Sequence, residues 1–290
     1  MSTKSSFLKG KNILVTGGTG SIGTELVKQC LASSPNVVRI LSNDENSLFE
    51  SQIEFGDRNN VRILHGDVRD YDRMLQSFES IDVVFHAAAM KHVPICEYDP
   101  MEAVRTNVIG TQNVIMAAIA CNVHKVITIS TDKAVNPTTT MGTTKLMAEK
   151  LTIDGNHYTG INRGIFSCVR FGNVMSSRGS VIPLFQKQIL EGGPVTVTNK
   201  SMTRFFMSIP EAVNLVLKSS EIMKGMEIFV LKSMSSIRII DLAETMIERH
   251  YEVTGKKIKI EIIGKRPGEK NLEFLMTESE MENALESDNF

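Results

Sequence analysis

Apolar residues are spaced in two different ways along this chain. As far as Arg170, short runs rich in β-branched residues alternate with stretches whose apolar positions recur at helical spacing. The runs predict strands at Asn12–Thr16, Val37–Leu41, Val61–His65, Asp82–His86, Lys125–Ser130 and Gly164–Arg170. Between them the spacing predicts amphipathic helices, notably Ser21–Leu31 and the long Met101–Cys121. Strand and helix in alternation imply βαβ crossovers, so an α/β fold is expected, a doubly wound parallel sheet with helices on both faces. Beyond Arg170 the runs shorten and scatter, with strands expected at Pro194–Val197, Phe205–Met207, Glu227–Leu231 and Ile258–Ile262 and helices at Pro210–Met223 and Ile239–Tyr251. The change predicts a first domain over residues 1–172 and a smaller C-terminal α/β subdomain over residues 173–290. The acidic tail, Thr277–Phe290, reads as a surface helix or a frayed end.

Composition narrows the class of protein. A length of 290 residues suits one large α/β domain with a small appendage. A net charge of −1 leaves no electrostatic footprint for nucleic acid or an anionic membrane, so no such partner is expected. An anionic small molecule needs only a few local cations and stays open. Cys30, Cys96, Cys121 and Cys168 form no paired motif, and three of them fall in apolar patterns, which reads as buried thiols in a reducing compartment. The histidines show no metal-ligand spacing, so no metal is expected. No apolar run approaches the ~18 residues of a membrane span, and the N-terminus lacks a signal-peptide core, so the expected location is the cytoplasm.

The first strand leads into "ILVTGGTGSIGTELV", with Gly17, Gly20 and Gly23 three residues apart. Glycines there permit positive φ and let the backbone approach a pyrophosphate, which the following helix N-terminus holds with free N–H groups. Thr19, Ser21 and Ile22 share that turn. The placement predicts a Rossmann-type domain binding NAD(P). At the end of the second strand stand Ser42 and Asn43, neither acidic nor basic; the small Ser42 hydroxyl leaves room for a 2′-phosphate and tilts the expectation slightly from NAD to NADP. Asp44 fits an N-cap for a helix over Asn46–Phe55 at least as well as a ribose contact. Asp67, with Val68, is expected beside the adenine, and Ala87, Ala88 and Ala89 beside the flat face of the cofactor. Asn107 fits a structural polar contact.

The segment "STDKAVNPTTTMGTTK", Ser130–Lys145, carries the chemistry. With the glycine motif it resembles the extended short-chain dehydrogenase/reductase family, over nearly the whole chain from Gly17 to about Lys270. That family pairs a Ser/Thr with a YxxxK motif; the matching residues here are Thr131, Met141 and Lys145, so methionine replaces the phenol. The i, i+4 spacing still puts Met141 and Lys145 on one helical face. The strings "AAAMKHVPICEYDP", "FGNVMSSRGSVIPLF", "TRFFMSIPEAVNLV" and "RPGEK" narrow the likeness to nucleotide-sugar 4,6-dehydratases acting on UDP-N-acetylglucosamine or a close relative, some of which carry this methionine.

The resemblance implies oxidation at sugar C4, loss of the C5 proton, departure of the C6 hydroxyl as water and return of the hydride at C6. Such chemistry needs a base and an acid beyond those of a plain dehydrogenase. Lys133 is expected as the C5 base, since Lys145 and a cationic nicotinamide nearby would disfavour its charge, and Asp132 as the acid for the C6 hydroxyl. Met141 cannot take the O4 proton; Asp132, a water held by Lys145, or Thr131 could. Lys145 is expected on the nicotinamide ribose. For the UDP-sugar, family positions point to Arg204 and Arg266 bracketing the diphosphate, Asn173 on a phosphate or the sugar, Glu269 on the ribose, Arg178 and Ser180 along the same wall, and Lys91 and His92 near the sugar. A homo-oligomer formed through the helices flanking Lys145 is expected by resemblance alone. Many relatives continue past "RPGEK" and larger ones carry an N-terminal membrane region that is not expected here, which leaves substrate closure and assembly open but not the fold. A C4 epimerase, or a silent NAD(P)-binding sensor, are the alternatives; the epimerase would keep the phenol and the sensor would have no use for Asp132-Lys133.

Overall fold

The computed structural model describes residues 5–160, 164–231, 234–287 and 290, so residues 288 and 289 of the predicted tail lie outside it. In chain order the first part runs β1 (Asn12–Thr16), α1 (Ser21–Ala32), β2 (Val37–Ser42), α2 (Glu45–Phe55), β3 (Val61–His65), α3 (Tyr71–Phe78), β4 (Val83–His86), α4 (Val93–Tyr98), α5 (Pro100–Ala103), α6 (Gly110–Ala120), β5 (Lys125–Thr131), α7 (Thr140–Asp154) and β6 (Ile165–Phe171). The second part adds β7 (Asn173–Val174), α8 (Val181–Leu190), β8 (Val195–Val197), β9 (Thr203–Met207), α9 (Ile209–Ile222), β10 (Ile228–Val230), β11 (Ser235–Arg238), α10 (Ile239–Thr254), β12 (Ile260–Ile262) and α11 (Glu278–Glu282).

Seven strands form one sheet in the order β10-β6-β5-β4-β1-β2-β3, every neighbouring pair parallel. This is the doubly wound α/β architecture. Strand alternation sends Ile13 and Val15 into one apolar layer with Leu26 and Val27 of α1 and Val213 and Val216 of α9. Leu14 faces the other layer, with Met74 and Phe78 of α3 and Val114 of α6. Each such side chain contributes roughly 1.5–3 kcal/mol on burial, which is why the β-branched runs were so legible.

The strand expected over Glu227–Leu231 runs Ile228–Val230 and adds to the main sheet beside β6, with α9 bringing the chain back across α1. Its neighbours in sequence instead form two small sheets, β11-β9-β7 and β12-β8. These close over a separate apolar cluster of Phe185, Ile189, Val195, Val197, Phe206 and Ile239.

The long helix predicted over Met101–Cys121 is α5 and α6 joined by a π-helical stretch, Val104–Ile109. Its widened turn turns Asn107 inward, where the amide clamps the Met90 backbone (2.8 and 3.0 Å) and reaches Thr144 Oγ1 of α7 (3.0 Å). Asp44 caps α2, accepting from the Asn46 and Ser47 N–H groups, as the capping alternative required.

Candidate active site

The sheet order reverses at β1, whose neighbours β2 and β4 lead away in opposite directions, and a crevice opens at the carboxyl ends there. A cleft of about 720 Å³ occupies that place. Its floor is the first βα turn. Gly17 has φ +64°, and a Cβ on it would meet the Ala88 backbone at 2.7 Å; a Cβ on Gly23 would meet the Gly17 carbonyl at 2.1 Å. Only glycine allows this closeness of turn, helix and neighbouring strand. Gly20 caps α1 without a side-chain hydrogen bond, which leaves the helix N-terminus facing the cleft. Volume, tight turn and free helix end fit a dinucleotide.

Gly17, Gly20, Ser21, Ile22 and Gly23 line this cleft, as do Ala87 and Ala89 beyond β4. Ala88 sits beneath Gly17 instead, and Val68 packs under Gly110. Thr19 and Ser42 are buried and bonded to each other, Oγ1 to Oγ at 2.9 Å, and Ser42 also accepts from the Asp44 N–H. Asn43 donates to Asp67 Oδ2 (3.0 Å). Burial works against the charge of Asp67, yet hydrogen bonds from Arg69 and Asn43 outweigh it and hold the carboxyl at about 2. Beneath the turn, His86 bridges Thr16 and Thr111; burial, reinforced by Lys145, pushes it down to about 3, so it is a neutral brace.

The other wall of the cleft comes from the ends of β5 and β6. Thr131, Lys133, Met141, Lys145 and Asn173 all line it. Thr131 ends β5, where its Oγ1 donates to Asp132 Oδ1 at 2.8 Å. A short 3₁₀ turn over Asp132–Ala134 then swings Lys133 back, so that Nζ donates to Asp132 Oδ1 and to Asn173 Oδ1, each at 2.9 Å. Asn173 therefore orients a lysine. Asp132 is fully buried and stands behind Thr131 and Lys133 rather than in the wall, with Oδ2 unpartnered.

Met141 is 4% exposed and packs with Cys96, Ala103, Met90 and Val93, a small apolar plug in place of the family's phenol. One turn on, Lys145 is buried and donates to the Ile129 carbonyl (2.6 Å). Burial pushes its ammonium below the usual lysine range.

A second, smaller cavity of about 130 Å³ adjoins, and Lys133 lines both. Arg204, Arg266 and Glu269 meet there, with Lys270 and Glu273, which sequence reasoning did not single out. The loop carrying Arg266 and Glu269 is docked on the segment before α7: Thr138 Oγ1 donates to the Gly268 carbonyl (2.6 Å) and Lys270 Nζ to the Val135 carbonyl (2.7 Å). Arg204 is 7% exposed and 3.9 Å from Glu269.

Arg178 lines the larger cleft instead, with Lys91, His92 and Ser180. Its backbone N–H donates to Ser21 Oγ, and its guanidinium reaches the Thr19 carbonyl and Ser47 Oγ, so it reaches across the glycine turn to the start of α2. Lys91 Nζ donates to the Arg178 carbonyl (2.7 Å) and His92 sits against Gly179, which pins this strap from the other side. Ser180 caps α8 with its hydroxyl unpartnered. Ser130 and Ser177, also in the cleft wall, were within quoted motifs but not singled out. Among the described residues no cluster of metal-binding side chains occurs, and no helix is long and apolar enough to cross a membrane.

The doubly wound sheet and the glycine turn at its switch point define the extended short-chain dehydrogenase/reductase class. The chain belongs to the polysaccharide biosynthesis protein family, whose model matches residues 13–290. It is 56% identical over 97% of its length to an uncharacterised membrane protein of Methanocaldococcus jannaschii. It is 42% identical over 97% of its length to a UDP-N-acetylglucosamine 4,6-dehydratase (inverting) of Campylobacter jejuni, and 42% identical over 94% to a UDP-glucose 4-epimerase of Rickettsia canadensis. It spans 85%, 82% and 80% of these three, and 46% of each of two longer polysaccharide-biosynthesis relatives. The X-ray structure of Pen from Bacillus thuringiensis superposes with a TM-score of 0.94 at 50% identity, covering 98% of this chain and 87% of that one. The protein is thus an enzyme of the nucleotide-sugar dehydratase and epimerase type.

Proposed function

We propose that this enzyme is a 4,6-dehydratase of UDP-N-acetylglucosamine or a close relative. The observation that carries the reading is Lys133, which stands where the two cavities meet, fixed by Asp132 and Asn173. The larger cavity takes NAD(P), with the pyrophosphate at the α1 N-terminus and Lys145 on the nicotinamide ribose. When bound, the dinucleotide supplies the acceptor that takes a hydride from C4 and returns it at C6. The nucleotide end of the substrate lies toward Arg204 and Arg266, whose cations meet the diphosphate, with Glu269 on the ribose. The sugar then spans the junction with C5 facing Lys133. That lysine takes the C5 proton, made acidic by the C4 ketone, while Asp132, which reaches the cleft only through its neighbours, is the acid whose proton lets O6 leave as water.

An epimerase has no use for a base at C5, so the positioned lysine favours dehydration. Arg178 supports NADP, because it brings a cation to the end of β2 where a 2′-phosphate would sit. Arg178→Ala should weaken NADP binding about tenfold and NAD binding much less, read by fluorescence titration. The exposed apolar residues Met101, Ile109, Met116 and Met147 on the α5–α7 surface support self-association through these helices.

The deciding experiment incubates the purified enzyme with UDP-N-acetylglucosamine in deuterated water. A 4-keto-6-deoxy sugar with deuterium at C5 and no net reduced cofactor is expected. A 4-epimer would mean the epimerase, and unchanged sugar would end the enzymatic reading of this substrate.

A further inference from the structure

Asp132 is walled off from the cleft, yet one of its oxygens is tied to both groups that face it. Oδ1 accepts from Thr131 Oγ1 (2.8 Å) and from Lys133 Nζ (2.9 Å), and Oδ2 has no partner at all. Thr131 gives its only hydroxyl proton to the carboxylate. Its oxygen also accepts from the Lys133 backbone N–H (3.4 Å), which leaves one lone pair as an acceptor for a sugar hydroxyl. The neighbouring Met141 offers no group that can take a proton.

We propose, resting on the dehydratase reading above, that Thr131 relays the O4 proton to Asp132 and that its arrival arms Lys133 as the C5 base. As C4 is oxidised, the O4 proton passes to Thr131 Oγ and the proton of Thr131 passes to Asp132 Oδ1; the C4–O4 bond becomes a carbonyl. Asp132 is then neutral, and the Lys133 ammonium has lost its anion. It passes one proton to cleft water, and the free amine removes the proton at C5. O6 and O4 flank C5, so the same hydroxyl carries the Asp132 proton back to O6, which leaves as water. The proton that ends on C5 comes from Lys133 or from that cleft water, so every charge returns to its starting value. Oxidation thus precedes elimination because it switches the base on.

The test uses holoenzyme and two readouts: reduced-nicotinamide absorbance in a single turnover of UDP-N-acetylglucosamine, and C5 deuterium exchange of the preformed 4-keto-6-deoxy sugar. Thr131→Val should slow the first about 10²- to 10³-fold and the second by less than about threefold, with Thr131→Ser restoring the first. Asp132→Asn, a permanent mimic of the neutral acid, should lose oxidation but exchange C5 at a pH optimum lower by about one unit or more. Oxidation by Thr131→Val within about threefold of wild type would assign the O4 proton elsewhere, to Lys145 first. Parallel loss of both readouts in folded Thr131→Val, or an unmoved exchange profile in Asp132→Asn, would also overturn the relay. Failure of the wild type to form any ketone sinks the dehydratase reading itself, a result distinct from these.

Discussion

A buried ion pair and a half-buried one stand at the same end of neighbouring strands, and they are built differently. Arg170 on β6 bonds both oxygens of Glu149 on α7 (3.0 and 2.7 Å), both oxygens of Glu280 on α11 (3.0 Å each) and the Leu275 carbonyl. Its side chain is 2% exposed and that of Glu149 1%. Lys133 and Asp132 share one bond; the lysine is 24% exposed to a cleft, and half of the carboxylate is unsatisfied. A fully satisfied pair has no capacity left for a substrate. A half-satisfied one tolerates the cost of an unmade hydrogen bond, of order 1–3 kcal/mol, and keeps proton-accepting capacity in reserve. The first pair fastens the C-terminal segment to α7, and the second is the pair to which the proposed function gives the chemistry.

The contrast can be broken by substitution. The largest effect is expected from Glu149→Ala, which strands a buried guanidinium and should lower unfolding free energy by about 3–5 kcal/mol in denaturant titration, with kcat per folded molecule within a few-fold. Equal stability would show that Glu280 alone satisfies Arg170. Lys133→Ala should do the reverse, costing about 10³-fold in turnover and in C5 exchange with an unfolding midpoint close to wild type. C5 exchange at the wild-type rate would remove Lys133 from the base role. Glu280→Ala is the mildest, about 1 kcal/mol once solvent screening of the half-open carboxylate is allowed for.

That last effect carries a pH signature. Burial opposes the charge of Glu280, but Arg170 and the Thr277 cap outweigh it and leave its carboxyl below the ordinary glutamate range. A depressed carboxyl adds stability that is complete above its unfolded value, 4.5, and is lost as pH falls through the folded one. Wild type and Glu280→Ala should therefore differ at pH 7 and converge in acid. Curves parallel at all pH would mean that the Arg170 contact carries no charge component.

Much of the first half was legible because its signals are local. Strand positions through β6 came out within a residue or so, since β-branched runs and the Gly17–Gly23 turn depend on nearby atoms. The ends drifted where pairing outran composition, as at Ser42 and Thr131, which continue their strands because parallel partners stand opposite them. The Ile228–Val230 strand gave no hint of which sheet it would join. The cleft residues of the β5–α7 segment were found from resemblance to the family's motif, whereas Lys270, Glu273, Ser130 and Ser177 carried no signal that distinguished them from ordinary loop or strand positions.

The amino-acid order by itself determined the alternating α/β layers, the glycine turn, the helical pairing of Met141 with Lys145 and the adjacency of Thr131, Asp132 and Lys133. Those features follow from repeat periods and from bonds between neighbours. Tertiary structure alone decided which of the three would face the cleft. It buried Asp132 behind its two neighbours, drew Asn173 from forty residues away onto Lys133, and carried Arg178 across to Thr19, Ser21 and Ser47. Burial and long-range hydrogen bonds depend on how distant segments pack, and no local pattern encodes that.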